Sequence, residues 1–332
     1  MKKRKYILFA ILLLLLPLSV VLRGGRASGK ETQALLGVPE RVTVLCAGFD
    51  EAAKNTDVLM LITLDPQQKA ITVLQIPRDT YFSSDTVQSK INQLYPAYRE
   101  AGQDKNAAMA HLAKEISSTF GVTIDHYAAL DLSTIAYLVD RLGGLTVNIP
   151  ADIPMGDGGL LLAGERTLNG EEALAFIRHR SGYANGDLAR VDAQKLLLVS
   201  AYKKLKNDLS LTDLAVLIPD LYKKITTDMT VSRQISIAYS YVRVRSGYTV
   251  RLGTLPGEAT RADRSTGTWY YIVNKKGACE VLGNYFLLSA FDKDARLTDK
   301  GRSHFMAIYE SQSIPYTVYT EETINKLEIK TK

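Results

Sequence analysis

Asp50 and Asp57 read as two carboxylates on one short loop, Glu51 to Thr56 between them. Hard cations take oxygen ligands, and Mg²⁺ commonly binds one or two carboxylates and completes its shell with water and phosphate oxygens. The pair therefore suits Mg²⁺, although two solvated surface acids would read the same way in isolation. A second group, Ile76-Pro77-Arg78-Asp79-Thr80, ends an apolar run at a proline and delivers an arginine and a carboxylate together. Such neighbours can form a surface ion pair of little worth; beside two further carboxylates, the arginine is placed to face an anion. The third group is Arg178-His179-Arg180, with Arg190 and Gln194 sharing one face of the following helix by their i, i+4 spacing. Arginines in the last turn of a helix favour its dipole. Three guanidiniums near one turn repel unless an anion neutralises them, and their planar forks suit phosphate oxygens. Lys90-Ile91-Asn92 adds a cation and an amide that could join a phosphate site.

Other chemistries are absent from the sequence. It has no P-loop, no GxSxG elbow, no HExxH and no Cys/His zinc spacing. His179 lies between two arginines, surroundings that disfavour a further cation, and His111 and His126 read as ordinary helix and strand residues. Cys46 and Cys279 could pair outside the cell, but Cys46 sits within the apolar run Val42 to Ala47 and reads as a small core residue.

Three short runs rich in β-branched residues, Val42 to Ala47, Val58 to Leu64 and Ile71 to Ile76, must position the first two groups. Asp65-Pro66-Gln67-Gln68 is a turn signal, so the second and third runs predict a hairpin. The start of one then lies beside the end of the other, and Asp50, Asp57, Arg78 and Asp79 converge at one sheet edge. Met109, Leu112, Ile116 and Phe120 predict a helix that stops at Gly121, followed by a strand over Val122 to Leu130. Ile135 to Leu142 repeats the helical pattern after an Asp131/Ser133 cap. It ends at Gly143-Gly144, before a strand at Leu145 to Ile149, which reads as a βαβ unit. Helices are also expected at Gly170 to Ile177, at Leu188 to Leu205 with Asp187 as N-cap, and around Leu211 to Lys224, kinked at Pro219. The fold class is α/β, a mixed sheet flanked by helices.

The chain of 332 residues is 46% apolar and 23% charged, enough for one large domain or two ordinary ones, and not a disordered or multi-span chain. Its formal charge of +6 is confined to the N-terminus. Removing Glu31 and the seven basic residues before it from 41 Lys and Arg and 35 Asp and Glu leaves 34 of each, so no nucleic-acid face is implied. Tyr6 to Leu22 is an apolar stretch of about 17 residues, roughly 26 Å of helix, enough to cross a bilayer core. Lys2 to Lys5 outnumber the charges that follow it, which keeps the N-terminus cytoplasmic and exports the rest. Arg23 and Arg26 stand where a signal-peptide cleavage site should be, so an uncleaved single-span anchor is the reading.

The ordered set of pieces resembles the LytR-CpsA-Psr family of cell-envelope proteins. An N-terminal anchor is followed by Gly48-Phe49-Asp50, Thr56-Asp57, the IPRDT run from Ile76, and Lys90-Ile91-Asn92-Gln93-Leu94-Tyr95. Then come LVDRLGGL from Leu138 to Leu145, Leu168-Asn169-Gly170, Arg178-His179-Arg180, and Gly186-Asp187 leading to Arg190 and Gln194. Thr268-Trp269-Tyr270-Tyr271 resembles the family's closing segment. The resemblance implies a Mg²⁺-dependent phosphotransferase that moves an anionic glycopolymer from a polyprenyl-pyrophosphate carrier to peptidoglycan. By it, Asp50 and Asp57 map to metal-side acids and Arg78, Arg178, Arg180 and Arg190 to pyrophosphate-binding arginines. Lys90 and Gln194 join the pyrophosphate site, and Asp79 supports catalysis. Two positions depart from the family pattern: Asn55 and Ala193 stand where arginines are usual. A non-catalytic polyprenyl-phosphate-binding module or sensor, and a polyprenyl-pyrophosphate pyrophosphatase, are the alternatives.

The expected organisation is a cytoplasmic stretch 1–5, a membrane anchor 6–22, a linker 23–39, an extracellular catalytic domain 40–273 and a C-terminal extension 274–332 without an assigned role. A Thr32→Cys variant should react with a membrane-impermeant thiol reagent on intact cells, above the level given by Cys46 and Cys279. Reaction only after lysis would reverse the topology.

Overall fold

A computed structural model describes residues 41–49, 55–156, 158–184, 187–208, 220–234, 237, 247–260, 267–286 and 315–331. The expected anchor and linker, Asp50, Gly186 and most of the expected helix Leu211 to Lys224, Pro219 included, lie outside them. Among the described residues no helix is long and apolar enough to cross a membrane.

β1 (Val42–Phe49), β2 (Thr56–Asp65) and β3 (Ala70–Gln75) form the antiparallel set the sequence predicts. The Asp65 carboxylate closes the β2–β3 turn by accepting from the Gln67 and Gln68 N–H groups at 3.0 Å each. All of β1 is buried because both faces are covered. Val42, Val44 and Cys46 enter one apolar layer, and Leu45, Ala47 and Phe49 enter the other. A ribbon of β4 (Tyr81–Ser83) and β5 (Gln88–Lys90) leads into α1 (Leu94–Glu100) and α2 (Lys105–Phe120). Asp104 caps α2 by accepting from the Ala107 N–H at 2.8 Å, and Gly121 ends it in the left-handed conformation at φ 68°.

β6 (His126–Asp131) lies parallel to β1. It begins later than expected, after Asp125, whose N–H donates to the Thr43 carbonyl at 2.9 Å and whose carboxylate accepts from the Thr43 N–H at 2.7 Å. α3 (Leu132–Arg141) and β7 (Leu145–Ile149) follow, but the expected βαβ unit does not form. β7 pairs instead with β10 (Gly164–Leu168) in a separate ribbon, beyond a small hairpin of β8 (Ile153–Pro154) and β9 (Leu160–Leu161). The reason is in its alternation. Leu145, Val147 and Ile149 are buried whereas Thr146 and Asn148 are exposed, a pattern for a strand covered on one face only.

α4 (Gly170–Arg178) and α5 (Asp187–Asp208) complete the layer with α3, and Asp187, expected as N-cap, is the first residue of α5. β11 (Ile225–Thr227) and β12 (Thr249–Thr254) extend the main sheet, β13 (Gly257–Thr260) pairs with β14 (Tyr270–Val273), α6 (Lys275–Tyr285) joins the layer of α1 and α2, and β15 (Tyr319–Thr320) closes the far edge. The seven-stranded order is β11-β6-β1-β2-β3-β12-β15, mixed in direction and flanked by helices. Cys46 and Cys279 belong to opposite layers and are both free thiols, and burial pushes the Cys46 thiol far above its ordinary range.

One close approach sets the angle at which α4 meets α3. A Cβ on Gly170 would stand 2.3 Å from the Ala136 carbonyl oxygen, and the Gly170 N–H donates to Asp140 Oδ1 at 2.8 Å. Asn169 supplies a capping box with Glu172 at the same point. Gly170→Ala should therefore destabilise the fold by about 1–3 kcal/mol through overpacking against backbone. Asn169→Ala should cost about 1 kcal/mol through the lost cap. Thermal unfolding of the two variants against the parent measures both.

Candidate active site

The β2–β3 hairpin brings Asp57 beside Arg78. Met60 pairs with Gln75, and the Ile76 N–H donates to the Leu59 carbonyl at 2.8 Å, so the chain beyond β3 runs along the start of β2. Arg78 Nη1 lies 2.5 Å from Asp57 Oδ1. From the helical layer, Arg190 on α5 reaches the same carboxylate oxygen at 3.5 Å and donates through Nη2 to the Asp57 carbonyl at 3.4 Å. Arg190 is 2% exposed, an unusual place for a guanidinium without such partners. Asp57 is the second residue of β2 rather than part of a loop, a correction to the reading of the two aspartates as loop carboxylates.

Arg178 and Arg180 meet at this corner because α4 stops between them. On a continuous helix residues two apart point to different faces. Arg178 is the last helical residue, and His179 has extended backbone at ψ 139°. Both arginines then line one open cavity of about 470 Å³ with Asn55, Asp57, Arg78 and Arg190. His179 holds the turn by accepting from the Gly182 N–H on Nε2 at 3.1 Å and by packing edge-on against Tyr183. Burial lowers the His179 pKa, and the acceptor role requires a neutral ring. The stability tied to that neutral form is present above the ordinary imidazole value and declines as pH falls below it.

The described lining thus carries four arginines against one aspartate, with the histidine neutral. No three His, Cys, Asp or Glu side chains gather as a metal cage among the described residues. The donor chemistry at Asp57 nonetheless fits a hard cation that takes one or two carboxylates and keeps water or phosphate oxygens. Asp50, the other expected ligand, lies outside the described residues, one peptide bond beyond Phe49, whose Cα partner in the ladder is Thr56.

The remaining site residues stand beside the cavity. Asp79 turns to Lys90, whose Nζ lies 2.8 Å from Asp79 Oδ1, and neither lines the cavity. Gln194 is buried behind Arg190 and accepts from Gln75 Nε2 at 3.1 Å, a tie between α5 and β3. Sequence reasoning missed Gln75, although a glutamine ending the apolar run Ala70 to Gln75 was a signal that a buried partner awaited it. Of the two departures from the family pattern, Asn55 lines the cavity and leaves it one cation fewer. Ala193 is fully buried in the apolar layer, where an arginine would have no solvated place in this chain.

Comparison with known proteins shows the family and the fold. The model of the LytR_cpsA_psr family matches residues 24–285. The cell wall biosynthesis protein LcpA of Corynebacterium glutamicum is 32% identical over 217 residues, which cover 59% of this chain and 42% of LcpA. The polyisoprenyl-teichoic acid–peptidoglycan teichoic acid transferase TagU of Oceanobacillus iheyensis is 28% identical over 252 residues, 74% of this chain and 75% of TagU. The crystal structure of Bacillus subtilis TagV superposes with a TM-score of 0.58 at 24% identity, over 72% of this chain and 92% of that one, which establishes a shared fold. The corner built by Asp57, Arg78, Arg178, Arg180 and Arg190 thus stands in a chain that belongs to the LytR-CpsA-Psr family.

Proposed function

We propose that this protein is a membrane-anchored, exported phosphotransferase that moves an anionic glycopolymer from a polyprenyl-pyrophosphate carrier to peptidoglycan. The observation that carries the proposal is the ratio, among the described residues, of four arginines to one aspartate around a cavity of about 470 Å³. Such an excess of positive charge asks for a multiply charged anion, and a pyrophosphate diester has the size and charge to meet several planar forks at once. The teichoic acid transferase named among the relatives supports the same class of reaction. Chemistry outside the membrane has no ATP to draw on, so a donor that carries its own activated bond suits an exported enzyme.

In the proposed reaction a hydroxyl oxygen of the acceptor glycan forms a bond to the phosphorus that carries the polymer. The bond from that phosphorus to the bridging oxygen breaks, and polyprenyl phosphate leaves. Arg178 and Arg180 hold non-bridging oxygens, and Arg78 and Arg190 oppose the charge that builds on the leaving phosphate. Asp79 takes the hydroxyl proton in this reading, and Lys90 at 2.8 Å holds its carboxylate in place. Asp57, together with Asp50, would hold a Mg²⁺ ion, which when bound would neutralise part of the pyrophosphate charge. Gln194 and Gln75 keep Arg190 at its depth in the layer.

Two results test this reading. Arg178→Lys, Arg180→Lys and Arg190→Lys should each fold like the parent yet lose polymer transfer by about tenfold or more, because an ammonium cannot reproduce a bidentate fork. Dipole or surface roles alone would leave transfer within about threefold, as such terms are worth well under ~1 kcal/mol. Product analysis with and without peptidoglycan acceptor separates transfer from hydrolysis, since a pyrophosphatase releases free polymer phosphate in both cases. Asp57→Ala should also lower the urea midpoint by the equivalent of about 1–3 kcal/mol, because it removes the carboxylate that Arg78 and Arg190 share. An unchanged midpoint would mean that Asp57 does not hold the two arginines together.

A further inference from the structure

Next to the phosphate corner stands a surface of different character. Trp269, the one tryptophan in the chain, is 56% exposed. Its neighbour Tyr270 packs edge-on against Tyr81, with ring centroids 5.2 Å apart and planes at 88°. Lys90 Nζ lies 5.8 Å from the Tyr270 ring centroid while it pairs with Asp79. The segment is firmly backed. The Tyr271 N–H donates to the Asp79 carbonyl at 2.8 Å, Thr80 bridges to Tyr271, and the buried Tyr271 hydroxyl donates to the Leu255 carbonyl at 2.6 Å. The backbone that carries the exposed indole is thereby tied to the IPRDT loop whose Arg78 faces the phosphate cavity.

We infer that Trp269 and Tyr270 form a shelf that stacks against a pyranose ring of an uncharged N-acetylhexosamine glycan, the acceptor, and presents its hydroxyl edge to Asp79. The assignment of acceptor rests on the proposed function; the stacking does not. A pyranose offers an apolar C–H face and a rim of hydroxyls, the complement of an aromatic face with polar groups at one border. Charge argues for the acceptor over the anionic donor. At the shelf Lys90 and Asp79 cancel each other, whereas the cavity beyond Arg78 holds the excess of arginines. A membrane-inserting surface would combine several apolar side chains with a basic face. Among the described residues the indole is the one exposed large apolar group of its segment, the others, Leu160, Leu162 and Tyr222, lying elsewhere in the chain.

Because Trp269 is the sole tryptophan, its fluorescence reports on the shelf directly in the full chain. Titration with chitotetraose should shift the emission to the blue and saturate, with a midpoint on the order of 1 mM, as expected for one or two stacked rings. Tyr270→Ala should weaken that midpoint by about tenfold, and Trp269→Ala, an exposed position that leaves the fold intact, should abolish the heat of binding in calorimetry. No response to chitotetraose up to solubility would overturn the shelf, as would a response to N-acetylglucosamine 1-phosphate alone, which would assign it to the donor. A blue shift with vesicles of phosphatidylglycerol and none with glycan would overturn it in favour of membrane contact. These outcomes are read without any turnover. A shelf that binds glycan in a protein that transfers nothing would sink the proposed function and leave the shelf standing, and transfer without glycan binding would do the reverse.

Discussion

Guanidinium groups held around one small cavity repel one another, and the repulsion grows as protein displaces water between them. The whole corner therefore depends on how Asp57 is placed. Its Oδ1 faces Arg78 from the end of β3 and Arg190 from α5, and its carbonyl accepts from Arg190 as well. One residue of β2 thus joins the sheet to the helical layer above it and supplies the negative charge that makes two of the four arginines tolerable. The other two, Arg178 and Arg180, line the same cavity, where an anionic ligand would add its negative charge to that of Asp57. A ligand that supplies it completes an electrostatic arrangement that the fold has already built.

Much of the apparatus around this corner exists to fix angles. Gly170 lets α4 lie against the Ala136 carbonyl, so the helix arrives at the cavity with its last residue, Arg178, on the near side. The neutral His179 then holds the extended turn that swings Arg180 round to join it. On the opposite side the Gln75–Gln194 hydrogen bond ties β3 to α5, which keeps the depth of Arg190 constant relative to Arg78. These are uncharged contacts, and they are the ones that give a cluster of flexible cations a defined shape.

The sheet edge was legible in the sequence because local rules decide it. β-branched runs and an Asx turn at Asp65 specify a hairpin, and a hairpin necessarily brings residue 57 near residue 78. The stop in α4 was also legible, though only through chemistry: two arginines two apart can share a ligand only if the helix ends between them. What was not legible depended on long-range packing. Leu145 to Ile149 has the composition of a sheet strand, and nothing local says that it leaves the main sheet to pair with Gly164–Leu168. Likewise Asp57 reads as a loop carboxylate until the ladder is followed: Gly48 pairs with Val58 and Phe49 with Thr56, so Asp57 is the extra residue of a bulge at the start of β2. The pairing of Asp79 with Lys90 follows from the β4–β5 ribbon, an element too short for any periodicity to announce.

The arginine excess has a bearing on turnover. In the proposed reaction the donor enters as a pyrophosphate diester with two negative charges, and the carrier leaves as a phosphate monoester that itself bears about −1.5 to −2 near neutral pH. A cavity that recognises its guest mainly by charge and by planar forks barely distinguishes the two. The spent carrier would then be held almost as firmly as the fresh one, and its departure, rather than bond exchange, would set the pace of the cycle. Accumulated carrier phosphate would compete for the same arginines, and the rate of envelope assembly would follow how fast the membrane draws that lipid away.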